Sequence, residues 1–362
     1  MNSLNLILFG LILFLLSFTL VRAFCGYALK KGLLDTPNAR SSHQIPTPRG
    51  GGIVFVLLWF LILGLAFWLD WLSLRGLFIF LPTTLCVSFL GYWDDNQSLS
   101  AKKRLIIQAI AASFCVFLLG DITTFHLFSN QAVYLGWAGG ITVATLGLIW
   151  STNLFNFMDG LDGLAAVEAL FVLGIGGGLY WFFGPSEMAY ILWALVLTVA
   201  GFLVLNWPKA RVFMGDVGSY CLGFLIALFA IIGECWYKIP IVLWVILYGV
   251  FWFDATMTLL RRFLTGETLT TAHREHAYQR LHRAGFSHAQ VLLCVIGLNI
   301  CLASIVIIII MASHTPEQLE HLGLGFLFSI GILTAAYSWV EKLQPFRHLE
   351  KELGKELERN NK

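Results

Sequence analysis

Apolar runs long enough to cross a bilayer, which takes about 20 residues, follow one another along the whole chain. They fall near residues 4–22, 52–70, 76–92, 104–120, 139–155, 163–183, 188–206, 217–233, 239–260, 290–312 and 321–340. The run at 139–155 is short and polar at its end, so the pattern predicts ten or eleven spans in an all-α, polytopic membrane protein. Residues 121–137 (DITTFHLFSNQAVYLGW) break that pattern. They are β-branched and aromatic around Ser129-Asn130, which predicts a short hairpin outside the membrane. No internal repeat or low-complexity linker divides the chain, so residues 1–340 read as one transmembrane domain. Residues 341–362 read as a charged tail, its HLEKELGKELERNNK a solvated amphipathic helix.

Composition strengthens this reading. The chain of 362 residues is 58% hydrophobic and only 12% charged, against about 25% charged in a soluble domain. The net charge of +2 says little; the placement of the charges says more. With the N-terminus outside, every Lys and Arg of the 23 falls on the cytoplasmic side except Arg75 and Lys238, a strong positive-inside bias that also leaves the C-terminus cytoplasmic. No Lys or Arg precedes the first run, whereas Arg22, Lys30 and Lys31 follow it. That polarity is opposite to a secretory signal and predicts a retained helix. The seven cysteines stand singly without metal-ligand spacing and read as small apolar core residues.

The same topology gathers the acids. Asp94, Asp95, Asp159, Asp162 and Asp216 all fall on the cytoplasmic side, at junctions of loop and helix, where carboxylates at membrane depth are costly and tend to be functional. Asp94-Asp95 ends the third run in LGYWDDNQSLSAKKRL. Adjacent carboxylates repel unless a cation sits with them, and Mg²⁺ suits them because it bridges carboxylates to substrate phosphates. The plainer alternative is a solvated pair with Ser100 capping the next helix. In NLFNFMDGLDGLAA, residues 153–166, Asn156, Asp159 and Asp162 stand at i, i+3 and i+6. On a helix they share a face, and the start of the next helix favours an anion such as a diphosphate. In PKARVFMGDVGSYCLG, Asp216 sits between two glycines, with Lys209 and Arg211 near enough to meet phosphates; alternatively Asp216 caps a helix and the basic pair obeys topology.

Two basic loops complete the set. RRFLTGETLTTAHREHAYQRLHRAGFSH holds His273 and His276 around Arg274, with Arg280 and Arg283 following. These are donors for phosphates and sugar hydroxyls; a zinc site lacks a third ligand at standard spacing. PNARSSHQIPTPRGGG offers Arg40, His43 and Arg49 with three glycines to wrap an anion, or is simply a positive-inside loop with turns. Glu168 and Asp254 lie within apolar runs and carry no assignment.

Together PNARSSHQIPTPRGGG, GYWDDNQS, NLFNFMDGLDGLAA and FMGDVGSYCLG resemble the polyprenyl-phosphate N-acetylhexosamine-1-phosphate transferases, in the right order over roughly residues 30–285. That superfamily includes the phospho-MurNAc-pentapeptide translocase of peptidoglycan synthesis and the enzymes that start O-antigen and enterobacterial common antigen. The resemblance implies a catalytic transmembrane domain of the inner membrane, active on its cytoplasmic face. It would move a sugar-1-phosphate from a UDP-N-acetylhexosamine to undecaprenyl phosphate with Mg²⁺ (or Mn²⁺), releasing UMP. Asp216 would then be a metal ligand, with Asp94-Asp95 close to the metal and the lipid phosphate. Asp94 would deprotonate the attacking phosphate. Asn156, Asp159 and Asp162 would hold the nucleotide and diphosphate, and His273 and His276 the donor's phosphate or sugar. Direct attack is the expected route. No nucleic-acid partner is expected, and a homodimer is compatible with this reading.

HREHAYQRL departs from the translocase, which has a run of histidines there, and looks like the branch that starts O-antigen with GlcNAc, FucNAc or QuiNAc. The alternatives are a peptidoglycan enzyme of the translocase type and an anion transporter. A transporter would hold its charges near mid-membrane on broken helices, whereas these lie at one surface.

Overall fold

The computed structural model describes residues 3–37, 45–120, 122–128, 131–268, 273–312, 319 and 321–346. Over these residues the chain is mainly helical. The first half contains α1 (Ser3–Lys31), α2 (Ile53–Trp68), α3 (Leu74–Gln97), α4 (Ala101–Leu119), α5 (Gly136–Met158) and α6 (Leu164–Phe183). The second contains α7 (Ser186–Asn206), α8 (Asp216–Tyr237), α9 (Ile241–Leu247), α10 (Gly249–Leu264), α11 (Ala277–Arg283), α12 (His288–Met311) and α13 (Leu322–Leu343). Two short antiparallel sheets join them, β1 (Leu34–Asp35) with β2 (Thr47–Pro48) and β3 (Thr124–Phe128) with β4 (Gln131–Tyr134).

Each expected apolar run lies on helix. Among the described residues, eight helices are long and apolar enough to cross a membrane; α2 is equally apolar but has only 16 residues, and α4 opens with Lys102, Lys103 and Arg104. The chain is therefore a polytopic, all-α membrane protein. One run differs from expectation. Residues 239–260 do not form one straight helix but break at Tyr248 into α9 and α10, which meet at 80°. The reason is compositional: Asp254, Thr256, Thr258, Arg261 and Arg262 give α10 a polar side that a straight continuation would carry into lipid. The indole of Trp252 donates to the carbonyl of Val245 at 2.8 Å across the break, occupying one acceptor that the interrupted helix leaves open.

The centre of the bundle is α8. Its sequence is apolar all round, the mark of a helix without a solvent or lipid face, and from Val217 to Glu234 every residue but Ala227 is buried. Along its length α8 packs against α3 and α5, while α7 packs on α6, α1 and α2. Lipid tails give helices no hydrophobic reason to associate, so close packing and interhelical hydrogen bonds do this work. Ser151 Oγ donates to the carbonyl of Gly223 at 2.6 Å between α5 and α8. Ser17 Oγ donates to the carbonyl of Thr198 at 2.6 Å between α1 and α7.

The expected hairpin forms, with Phe125 opposite Val133 and His126 opposite Ala132; its Ser129-Asn130 turn lies outside the described residues, as does the 348–362 tail. Glu234, near the C-terminal end of α8, holds this hairpin by accepting from the backbone N–H of His126 at 2.8 Å. The same glutamate accepts from the N–H of Ile241 at 2.6 Å. The opposite end of α8, where Asp216 begins the helix, is therefore the end that meets the acidic junctions.

α3 and α8 approach closely at Gly91, where a Cβ would stand 2.3 Å from the carbonyl oxygen of Asp216. Gly91→Ala is expected to force these helices apart, lowering stability by about 1–3 kcal/mol. Thermal unfolding of the purified protein in detergent measures this as a lower Tm.

Candidate active site

The first loop reaches the acids through its backbone. After β2, the N–H of Gly51 donates to the carbonyl of Phe213 at 2.9 Å and that of Gly52 to Met214 at 2.9 Å. In return the N–H of Phe213 donates to Pro48 at 2.8 Å. RGGG and VFMGD thus run side by side. Gly215 adopts φ +77°, and a Cβ there would lie 2.8 Å from Asp95 Oδ2 and 2.9 Å from the Cα of Gly50. Only glycine combines that backbone conformation with so close an approach.

This juxtaposition sets Arg49 between two carboxylates. Its Nη2 lies 2.9 Å from Asp95 Oδ1 and 3.1 Å from Asp216 Oδ1. Asp95 also caps α8, accepting from the N–H of Asp216 at 3.0 Å and of Val217 at 3.1 Å. The helix's positive end and the guanidinium favour the anion, but burial and the neighbouring Asp216 outweigh them and raise the Asp95 pKa to about 6. Asn156 Nδ2 donates to Asp216 Oδ1 at 3.0 Å and to Ser219 Oγ at 2.9 Å, tying the last turn of α5 to the first of α8.

Asp94, the neighbour of Asp95, has different partners. It is 6% exposed, and accepts from the N–H of Leu99 at 2.7 Å, the hydroxyl of Tyr220 at 2.7 Å and Arg104 at 3.1 Å. The adjacent acids thus take separate arginines, Asp95 with Arg49 and Asp94 with Arg104, which eases their mutual repulsion.

The three polar residues of NLFNFMDGLDG do not share a helix face. α5 ends at Met158, so Asn156 is helical, Asp159 caps the end and Asp162 lies in the following turn. Asp162 turns to other partners: His288 Nδ1 at 3.1 Å and the N–H of Ala210 at 3.1 Å. Asp159 stays with the cluster, where its carboxyl accepts no hydrogen bond among the described residues. Burial, followed by the charge of Asp216, raises its pKa to about 7; Asp95 adds to the rise and Arg49 opposes it.

Beside the cluster lies a cleft of about 600 Å³, lined by Arg104, Asn153, Asn156, His273, His276 and Gln279, with Leu105, Ile149 and Trp150 on its apolar side. His273 and His276 stand with ring centroids 4.9 Å apart. Burial, then the proximity of His276 and Arg262, lowers the His273 pKa to about 3, so this ring is neutral near pH 7. For Arg49, burial alone would lower the pKa, but Asp216, Asp95 and Asp35 outweigh it and raise it.

The glycosyl transferase family 4 model matches residues 77–234. A Bacillus subtilis (strain 168) protein named probable undecaprenyl-phosphate N-acetylglucosaminyl 1-phosphate transferase is 30% identical over 297 residues, covering 77% of this chain and 78% of its own. The undecaprenyl-phosphate alpha-N-acetylglucosaminyl 1-phosphate transferases of Escherichia coli O157:H7 and Yersinia pestis are each 29% identical. The first covers 80% of both chains and the second 88% of both.

The chain belongs to glycosyl transferase family 4. Within this group of polyprenyl-phosphate N-acetylhexosamine-1-phosphate transferases, the present family 4 chain brings Arg49, Asp95, Asn156, Asp159 and Asp216 together at one end of α8. His273 and His276 line the adjoining cleft, and Arg274 lies between them in the same loop. Lys209 and Arg211 are exposed, and their side chains make no ion pair to the cluster among the described residues. His43 and Arg40 lie outside the described residues. Arg104 and Tyr220, the partners of Asp94, went unmarked in the sequence because a basic residue near a helix start and a tyrosine in an apolar run both look ordinary there.

The Asp159 shift has a consequence for stability. Unfolded, this carboxyl titrates near 3.8, and folded near 7, so between those pH values the native state holds a proton that the unfolded state lacks. Its stabilising contribution is complete below about pH 4 and is lost as pH rises towards 7. Asp159→Asn, uncharged throughout, is expected to be more stable than wild type at pH 8, by on the order of 4 kcal/mol, and close to it near pH 4. Tm measured across that range would show the gap opening with pH.

Proposed function

We propose that this protein transfers an N-acetylhexosamine-1-phosphate from a UDP-sugar to undecaprenyl phosphate, at the cytoplasmic face of the inner membrane. The product is the lipid-linked first sugar of a cell-surface glycan of the O-antigen type. One observation carries the reading: Asp95, Asp159 and Asp216, from three separate stretches, meet around Arg49 beside a cleft with both polar and apolar walls. The family and the names of the relatives supply the substrate class, with GlcNAc as the first sugar to test.

With α2, α4 and the bent α9–α10 counted as spans the crossings number eleven, and the asymmetry of Lys and Arg supports an outside N-terminus with this cluster on the cytoplasmic side. A lipid phosphate and a soluble nucleotide can meet there. A second apolar cavity of about 310 Å³ shares Trp150 with the cleft and continues along α5, α8 and α9. Such a surface suits an isoprenoid chain.

In the reaction, an oxygen of the acceptor phosphate attacks the sugar-bound phosphorus of the donor. A new P–O bond forms, the bond to the uridine phosphate breaks, and UMP leaves with its electron pair. Phosphoryl transfer asks mainly for charge neutralisation and in-line positioning. Arg49 and Arg104 supply positive charge, Asn156 and the His273–His276 loop orient the donor, and Asp95 fixes the start of α8. Asp159, which accepts no hydrogen bond among the described residues and titrates near neutrality, accepts the proton of the acceptor phosphate. Asp94, which the family resemblance puts forward for that step, has both oxygens engaged.

Among the described residues no three His, Cys, Asp or Glu side chains stand in metal-ligand geometry. Mg²⁺, however, is commonly held by one or two carboxylates plus substrate phosphates. Asp216 Oδ2, which takes no hydrogen bond among the described residues, is the acceptor we assign to it, while both oxygens of Asp95 are engaged. Bound Mg²⁺ would neutralise the diphosphate and polarise the attacked phosphoryl group.

The test is to incubate membranes containing the protein with labelled UDP-GlcNAc and undecaprenyl phosphate. Label should pass into the lipid phase with stoichiometric UMP, require Mg²⁺, and cease with EDTA. Asp216→Asn should reduce it by roughly 100-fold or more at equal membrane insertion. Label entering sealed vesicles without UMP release would identify a transporter and overturn the reading. UDP-FucNAc and UDP-QuiNAc in parallel would rank the sugars.

A further inference from the structure

Asp254 lies buried in α10 and belongs to none of the acidic motifs. Its Oδ1 accepts from the N–H of Ala277 at 2.8 Å and from Thr258 Oγ1 at 3.0 Å, and stands 3.4 Å from His276 Nδ1. Its Oδ2 accepts from the N–H of Tyr278 at 3.3 Å. One carboxylate thus ties down the backbone on the C-terminal side of His276 and faces its ring. Buried carboxylates are tolerated where donors satisfy them, and here three donors do so, the N–H groups of Ala277 and Tyr278 and the hydroxyl of Thr258.

The connection continues past His276. The His276 and Tyr278 rings lie stacked, 5.8 Å apart and inclined by 14°. The Tyr278 hydroxyl donates to the carbonyl of Phe157 at 3.0 Å. A Cβ on Gly160 would fall 2.2 Å from that hydroxyl, so Tyr278 rests directly on the turn that carries Asp159. Asp254 is therefore joined, through short contacts, to both the histidine side and the carboxylate side of the cleft.

We propose that Asp254 is a positioning residue for sugar-phosphate transfer. By fixing His276 directly, and the Asp159 turn through Tyr278, it holds the cleft in the shape that grips the nucleotide-sugar donor. This rests on the reading that the cleft binds a UDP-sugar. A residue that merely supported the bundle would change the amount of folded protein, not the affinity for one substrate.

The experiment is a double-mutant cycle on the full chain in detergent, with UDP-GlcNAc as the varied substrate and undecaprenyl phosphate fixed. Asp254→Ala and His276→Ala should each lower kcat/KM for the donor by roughly 20-fold, and the double variant by little more than either alone. KM for undecaprenyl phosphate should stay within about twofold of wild type in Asp254→Ala. If Asp254→Ala fails to insert, Thr258→Val replaces it; loss of that one hydroxyl should raise donor KM about threefold, and not at all in the His276→Ala background. Effects that multiply, or that raise both KM values alike, would overturn the proposal. So would wild-type kinetics in Asp254→Ala. A His276→Ala protein with unchanged donor KM would also overturn it, while leaving the transfer reaction itself intact; absence of transfer by wild type would instead remove the function on which the proposal rests.

Discussion

One guanidinium holds this site together. Asp95, Asp159 and Asp216 are brought to the same end of the bundle, and three carboxylates at that depth repel one another and forgo hydration. Arg49 bridges two of them from a single nitrogen, and the first turn of α8 donates two backbone N–H groups to Asp95. The compensation is incomplete. Among the described residues the Asp159 carboxyl accepts no hydrogen bond, and burial with the charge of Asp216 raises its pKa.

The rest of the fold keeps that arrangement rigid. α8 is buried along almost its whole length, so its first turn cannot shift without moving α3 and α5. Asp94 braces the neighbouring corner through Tyr220 and Arg104, and Arg104 also faces the cleft. The break at Tyr248 turns α10 aside, which brings Asp254 to the start of α11 and His276 to the cleft wall. A straight span would have carried both residues away along the bundle.

Much of this was legible in the sequence. The apolar runs marked every long helix, because burial in lipid demands uninterrupted hydrophobicity, and the asymmetry of Lys and Arg collected the acids on one side. DDNQS, NLFNFMDGLDG and FMGDVGS named stretches that the fold brings to one end of α8. The divisions within them were not legible: that Asp94 and Asp95 take different arginines, or that Asp162 leaves the cluster for His288. Those depend on which way the chain turns after α3 and α5, and helix ends are set by tertiary contacts as much as by local sequence. The i, i+3, i+6 spacing assumed that the helix continued past Met158. The break in α9–α10 was hidden for the same reason, since a hydropathy average does not register where one face becomes polar. Asp254 and Tyr220 carried no motif, and only their partners reveal them.

The measurement that bears most directly on this account is the rate of lipid-linked product formation by Arg49→Ala at equal membrane insertion. If Arg49 is the cation that lets the three acids share one site, its loss should slow transfer by roughly 100-fold while the protein still folds. Wild-type turnover in that variant would mean that the carboxylates do not depend on the bridge, and the account would be wrong.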